Sequence, residues 1–294
     1  MSAIVNINGR ICAEHEAVVS VFDHGFLFGE GVYEVLRTYH QQPFLFEPHQ
    51  RRLRESAQRI GLEVPLSDAE MLARIRATID TLGIPGEVYV RILLTRGVGE
   101  FSYDPAVCRT PTLVIIVKPF TPPPAHIYER GVTIALVDVV RNHPRSVDPR
   151  IKSNNLLNNA LAAQQALARG AFEALMRNYR GEIAECSQSN FFLVREGEVL
   201  TPPLEAGLLA GITRAFVFEL GKELHVSVRE AVLRDEDLAT ASEAFITSTT
   251  KEIVPVVKVD ERVIGDGVPG PVTRRLLAAF REHASALAAS APRM

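Results

Sequence analysis

The period of the apolar positions changes repeatedly along the chain, and each change marks an element. Residues 3–8 and 11–12 are apolar-rich and flank Asn8-Gly9, a pair suited to a tight hairpin turn. Gly31–Tyr39 has the β-branched and aromatic content of a strand. Pro48–Ile60 is expected to be a helix, with Pro48 in its first turn and Gly61 just past its end. A helix over Asp68–Leu82 and strands over Glu87–Thr95 and Thr112–Lys118 follow. The stretch 119–131 holds three consecutive prolines, which favour an extended path and predict a linker. After it come a strand over Val132–Val140 and a helix over Asn154–Arg169, ended by Gly170. Ala174–Tyr179, Glu182–Ala184, Phe191–Arg195 and Val199–Thr201 read as strands. Ile212, Phe216, Leu220 and Leu224 recur every fourth residue, the stripe of a helix. Strands near Ala244–Thr247 and Val254–Val259 and a helix over Thr273–Ala288 complete the chain, with a frayed tail beyond Ala288.

This mixture predicts an α/β chain of the α+β type in two parts. The expected division is a small N-terminal α/β domain over 1–120, a proline-rich linker over 121–131 and a larger C-terminal α/β domain over 132–294. With 47% hydrophobic residues, 294 residues can build sizeable cores. The net charge is −3 and the signs are interspersed, with no basic stripe to hold nucleic acid. Apolar runs such as Leu113–Val117 are too short to span a bilayer, and the first ten residues lack a signal-peptide pattern. Cys12, Cys108 and Cys186 are scattered and odd in number. They predict a reduced, cytoplasmic protein without disulfides or structural metal.

Candidate chemistry sits mostly in the second half. Only five lysines occur: Lys118, Lys152, Lys222, Lys251 and Lys258. Lys152 lies in RIKSNN, just before a predicted helix whose asparagines suit capping. A lysine placed in a cleft there loses solvation and becomes a nucleophile towards aldehydes. Lys251, after a Ser/Thr run, is its one rival. Glu185 ends a strand and precedes small polar residues; a carboxylate there could keep a pyridine nitrogen protonated, or simply lie at a rim. Gly211-Ile212-Thr213 opens a helix, whose first amides attract an anion or serve as an ordinary cap. Ser248, Thr249 and Thr250 end a strand with hydroxyls and amides. Arg52, inside the helix motif HQRRL, has the fork that grips phosphate, or is a surface arginine. No GxSxG, HExxH, Walker or strand-GxGxxG-helix motif is present.

In order and spacing, six segments resemble the class IV, fold-type IV pyridoxal 5'-phosphate (PLP) aminotransferases. They are FDHGFLFGEGVYEVLRTY (22–39), PHQRRL (48–53), RIKSNNLLNNALA (150–162), GEIAECSQSNFF (181–192), TPPLEAGLLAGITR (201–214) and FITSTTKEIVPV (245–256). The resemblance implies two α/β domains with the cofactor between them, and a homodimer or higher homo-oligomer. It makes Lys152 the catalytic Schiff-base lysine and Glu185 the partner of the pyridine nitrogen. Arg52, Ile212, Thr213, Ser248 and Thr249 are then cofactor-binding. Tyr33, Tyr89, Arg91 and Thr250 are expected at the substrate, and no metal is implied.

The substrate marks conflict. YVR (89–91) and TRGVGEFSYDP (95–105) look like branched-chain aminotransferases. Phe101 and Tyr103 stand where D-amino-acid enzymes carry an Arg-x-His carboxylate trap. Leu157, where branched-chain enzymes have a tyrosine, and VYEV (32–35) lean towards the D-type, and Arg37 and Arg177 are unplaced candidates for carboxylate recognition. The expected reaction is transamination between branched-chain L-amino acids and 2-oxoglutarate. A D-alanine-type transaminase is the alternative, and an aminodeoxychorismate lyase a more distant one.

Overall fold

The structure, a computed structural model, describes residues 3–290. The chain forms two compact units. The first takes the chain up to Thr121, the segment Ile151–Asn155 and the helix tail from Ser285; the second takes Pro122–Arg150 and Leu156–Ala284.

In the first unit, β1 (Ile4–Ile7) and β2 (Arg10–Ala13) form the expected hairpin, and α1 (His24–Leu27) is a single turn before β3 (Gly31–Tyr39). β4 (Gln42–Pro43), α2 (Phe46–Arg59), α3 (Asp68–Leu82), β5 (Val88–Thr95) and β6 (Thr112–Pro119) follow. The six strands form one antiparallel sheet in the order β2-β1-β6-β5-β3-β4. Burial along β5 alternates strictly, because one face of the sheet is core and the other is not. Leu36, Val90, Ile92, Leu94 and Ile115 cover the core face, and Leu53, Met71 and Ile75 of α2 and α3 pack on it. α3 starts where it does because Ser67 and Glu70 bond each other's backbone amides, a capping box.

The second unit begins with α4 (His126–Arg130), inside the stretch expected to be extended. The prolines before it fix the approach without preventing a helical turn after them. β7 (Val132–Leu136) is shorter than the expected strand, and α5 (Leu157–Ala168) starts three residues later than expected. Asn154 and Asn155 do not cap α5; its N-cap is Leu156, without a side-chain bond. The reason is that Asn154 donates its backbone N–H to Gly31 O, which draws the segment into the first unit.

The remaining elements are β8 (Ala174–Arg177), β9 (Ile183–Cys186), β10 (Asn190–Arg195), β11 (Glu198–Thr201), α6 (Ile212–Glu223), β12 (Val228–Glu230), β13 (Glu243–Ser248), β14 (Glu252–Val259), β15 (Arg262–Val263) and α7 (Pro271–Ser290). Their mixed sheet runs β12-β11-β10-β13-β14-β7-β8-β9, with β15 beside β14. β10 and β13 are buried on both faces, which explains their unbroken apolar sequences; Phe192 and Phe245 stack across them with centroids 4.7 Å apart. α7 reaches past the Thr273–Ala288 expected for it, and most of the tail expected to fray lies outside the described residues. Among the described residues no helix is long and apolar enough to cross a membrane.

Candidate active site

The segment carrying Lys152 is tied to β3 by its backbone. Tyr33 N–H donates to Lys152 O and Asn154 N–H to Gly31 O, each at 2.9 Å, while Lys152 N–H donates to Ser56 Oγ on α2 at 3.1 Å. Gly31 makes this approach possible, since a Cβ there would press on Asn154 Nδ2 and Leu94 O at 2.6 and 2.7 Å. These bonds place Lys152 with the first unit, although the sequence reading assigns it to the C-terminal domain. Its Nζ lies 4.5 Å from the centre of the Tyr33 ring, and the Arg91 guanidinium lies 4.3 Å from the same centre. Tyr33 and Arg91 alternate away from the core on neighbouring strands, and Tyr89 is two residues from Arg91 along β5. Lys152, Arg91, Tyr33 and Tyr89 therefore share the non-core side of the sheet, with Arg37, Tyr39 and Lys118 on the same face.

The rival lysine is otherwise engaged. Lys251 Nζ donates to buried Glu173 at 2.8 Å. Lys258 and Lys222 pair with Glu261 and Glu219.

Arg52 is buried on α2. Its Nε donates to Glu34 Oε1 at 2.6 Å and its Nη2 to Glu34 Oε2 at 2.8 Å. The same Oε2 accepts from His49 Nδ1 at 2.7 Å. Glu34 has no exposed surface. Burial opposes its charge, but the Arg52 and His49 charges and hydrogen bonds outweigh burial and hold its pKa far below the carboxylate range. Burial dominates at His49 and lowers its pKa, with Arg52 and Lys152 adding to the lowering against Glu34. The sequence reading singles out neither Glu34 nor His49. A signal exists: Glu34 interrupts the core-facing positions Val32 and Leu36, and His49 sits one helical turn before Arg52.

Glu185, in the second unit, is also buried. Oε1 accepts from Arg141 Nε at 2.8 Å; Oε2 accepts from the Leu209 N–H at 3.1 Å and Asn190 Nδ2 at 3.2 Å. Arg141 also donates to Asn158 Oδ1 at 3.1 Å. Three donors match an acceptor-only ionised carboxylate, the form that pairs with a protonated ring nitrogen. Arg141 lies in irregular backbone beyond β7, where no periodicity could have marked it.

The start of α6 and the end of β13 lie side by side. α6 begins at Ile212 after Gly211, leaving its first amides open, and Thr213 is buried. A Cβ on Gly211 would collide with Asn190 Oδ1. Asn190 pairs in register with Thr247, so the start of α6 adjoins the end of β13. There Thr247 Oγ1 and Ser248 Oγ are buried without a hydrogen-bond partner. Buried hydroxyls are rarely left so, and these suit the acceptor oxygens of a phosphate. Thr249 and Thr250 continue in the turn towards β14. Within the second unit, the hydroxyls and open amides would suit the phosphate of PLP and the Glu185 carboxylate its ring nitrogen; within the first unit, Lys152 stands beside the Tyr33 ring.

The other candidates are placed differently. Arg37 is buried, with its guanidinium 4.1 Å from both the Tyr39 and the Phe120 ring centres. Arg177 commits Nε and Nη2 to Asp235, at 2.9 and 2.5 Å, which raises its pKa. Phe101, Tyr103 and Leu157 are largely exposed. Among the described residues no cluster of His, Cys, Asp and Glu is suited to a metal ion.

Residues 31–259 match the family profile described as amino-transferase class IV. The chain is 38% identical over 278 residues to a putative branched-chain-amino-acid aminotransferase of Methanocaldococcus jannaschii, covering 95% of each chain. It is 34% identical over 280 residues to the D-alanine aminotransferase of Staphylococcus aureus strain N315, covering 94% of this chain and 96% of that one. The fold superposes on the branched-chain amino acid aminotransferase of Thermobaculum terrenum, solved in its PLP form, at a TM-score of 0.86. That match has 29% identity and covers 96% of this chain and 94% of the other. With most of its length matched to the family profile, and with a lysine, a carboxylate and an anion cup suited to the cofactor, the chain belongs to the class IV aminotransferases.

Proposed function

We infer that the protein is a PLP-dependent transaminase moving an amino group between branched-chain L-amino acids and 2-oxoglutarate. The observation that carries this is the grouping of Lys152, Tyr33 and Arg91 on one side of the first sheet. PLP, when bound, supplies an electron sink for the substrate carbon. Lys152 is the group that holds and moves the proton, at Nζ. Arg91 offers the substrate carboxylate a bidentate partner, and Tyr33 and Tyr89 give the side chain an aromatic wall. Glu185 would hold the ring nitrogen, and Arg52, Ile212, Thr213, Ser248 and Thr249 are the residues that would hold the phosphate. Thr250, in the turn after β13, would meet the substrate.

The fixed arginine bears on stereochemistry, because the carboxylate's position decides which enantiomer turns its Cα–H towards Lys152. Phe101 and Tyr103 offer no cationic trap, and Arg177 is committed to Asp235; both favour the L-type. The D-alanine-type reading is the second one, supported by Leu157 and by the likeness to the D-alanine aminotransferase of S. aureus. A second copy of the chain supplies the cover for the exposed aromatics Phe22, Phe26, Phe101 and Tyr103, giving a homodimer. Free thiols at Cys12, Cys108 and Cys186 suit the reducing cytoplasm. The test is to follow the visible band of the PLP form while adding L-leucine, L-isoleucine, L-valine, D-alanine or D-glutamate. Faster loss of the band with the L-substrates is expected; faster loss with D-alanine or D-glutamate would replace this reading with the second.

A further inference from the structure

Glu34 is a charged residue on a strand face that otherwise carries Val32, Leu36 and Thr38, all four without exposed surface. An apolar residue there would pack without any desolvation cost, and a buried ion pair by itself is weak evidence of stabilisation. What the carboxylate does supply is direction. By accepting from both Nε and Nη2 of Arg52, it fixes the plane of the guanidinium and hence the direction of Nη1. His49 locks the carboxylate in turn. Its Nδ1 donates to Oε2 at 2.7 Å, and its Nε2 is buried with no hydrogen-bond partner. The imidazole therefore makes its one hydrogen bond to Glu34.

We propose that Glu34, locked by His49, is a positioning residue for the cofactor phosphate, aiming Arg52 and setting how strongly the protein prefers PLP to phosphate-free pyridoxal. The proposal rests on the reading of the chain as a PLP enzyme with Arg52 at the phosphate. It predicts an effect that scales with the phosphate and leaves the rest of the cofactor site alone.

Glu34→Gln separates aiming from packing. Three side-chain donors face the two carboxylate oxygens, Arg52 Nε, Arg52 Nη2 and His49 Nδ1, and the Val35 N–H adds a longer bond to Oε2 at 3.3 Å. An amide of the same shape has one oxygen and one NH2, and in either orientation its NH2 confronts an N–H of Arg52. His49 can change tautomer to accept from it, but a guanidinium has no acceptor to offer. Gln therefore keeps the volume and loses the aim.

The test is to titrate PLP-free protein with PLP and with pyridoxal, for the parent, Glu34→Gln and Glu34→Asp, and to record the 31P shift of bound PLP. The expected result is a ratio of PLP to pyridoxal affinity lowered about tenfold in Glu34→Gln, the scale of one misplaced charge-assisted bond, with pyridoxal affinity nearly unchanged. The 31P signal moves towards that of free PLP. Glu34→Asp keeps the charge but falls short by one methylene, and lowers the ratio less; it reads the same quantity if the Gln variant does not fold. An unchanged or raised ratio, or equal losses for PLP and pyridoxal, overturns the proposal while the parent's visible band leaves the PLP reading standing. A parent that binds PLP without any visible band overturns both.

Discussion

Two buried carboxylates, one in each unit, are handled in opposite ways. Glu34 lies on the core face of the first sheet and accepts chiefly from the side chains of Arg52 and His49, with a longer bond from the Val35 N–H. Glu185 ends a strand of the second sheet and divides its oxygens between Arg141, a backbone N–H and an asparagine amide. The first is a closed cluster of charged or chargeable side chains whose geometry is over-determined. The second balances one cation with neutral donors, so its charge is less fully matched by cations of the protein. Burial alone does not separate two such carboxylates; the nature of their donors does.

The comparison can be tested by removing its parts, beginning with the lysine. Lys152→Ala should lower turnover on the order of a thousandfold or more and abolish the visible band, with the fold kept by circular dichroism. A peptide map of borohydride-reduced protein placing the cofactor on Lys251 would sink the assignment. Next, Glu34→Ala leaves Arg52 buried without its counter-charge and should destabilise the first unit by about 3–5 kcal/mol. Denaturant melts of Glu34→Ala and Glu185→Ala should show the larger loss in Glu34→Ala, and the reverse ranking would break the contrast. Third, Glu185→Gln should keep the fold and bound PLP while turnover falls roughly ten- to a hundredfold, from one charge-assisted bond of about 1.5–3 kcal/mol. Unchanged turnover would make Glu185 a bystander.

The smallest expected effect is a pH dependence confined to the Glu34 cluster. His49 has a folded pKa below its ordinary 6.5, chiefly through burial, so its contribution is present above that value and lost as pH falls below it. Glu34, also lowered, contributes above the ordinary 4.5 and loses that contribution as pH falls towards its folded value. Both act in the same direction, so melting temperature should fall on acidification in two stages. In His49→Gln the upper stage should vanish and the lower remain; two intact stages would show that another group titrates.

How much of this is legible in the sequence depends on periodicity. β3 and α3 have the bounds that the sequence predicts, because β-branched and aromatic content marks the first and a capping box fixes the start of the second. The family is legible from motifs, and the same motifs single out Lys152 and Glu185 as candidates. Glu34 and His49 lie inside two of those motifs and still escape notice, because a motif does not say which face its members occupy. Arg141 and Asn190 act through tertiary contacts from irregular backbone or a strand start, where local pattern carries no information. The late start of α5 escapes for the same reason: what competes with the helix is a bond to Gly31, more than a hundred residues away.

That bond has a consequence for synthesis. A ribosome releases the first unit in instalments: the chain up to Thr121, then Ile151–Asn155, then the tail from Ser285, where Ser285 Oγ meets His40 Nε2 at 2.9 Å. The antiparallel sheet can zip early, but the lysine segment joins β3 only after the start of the second unit has been made, and the tail arrives last. Closure of such a unit waits on distant sequence and is slow compared with local folding. A nascent chain halted before residue 151 would therefore hold a sheet with its core face formed and its lysine seat empty.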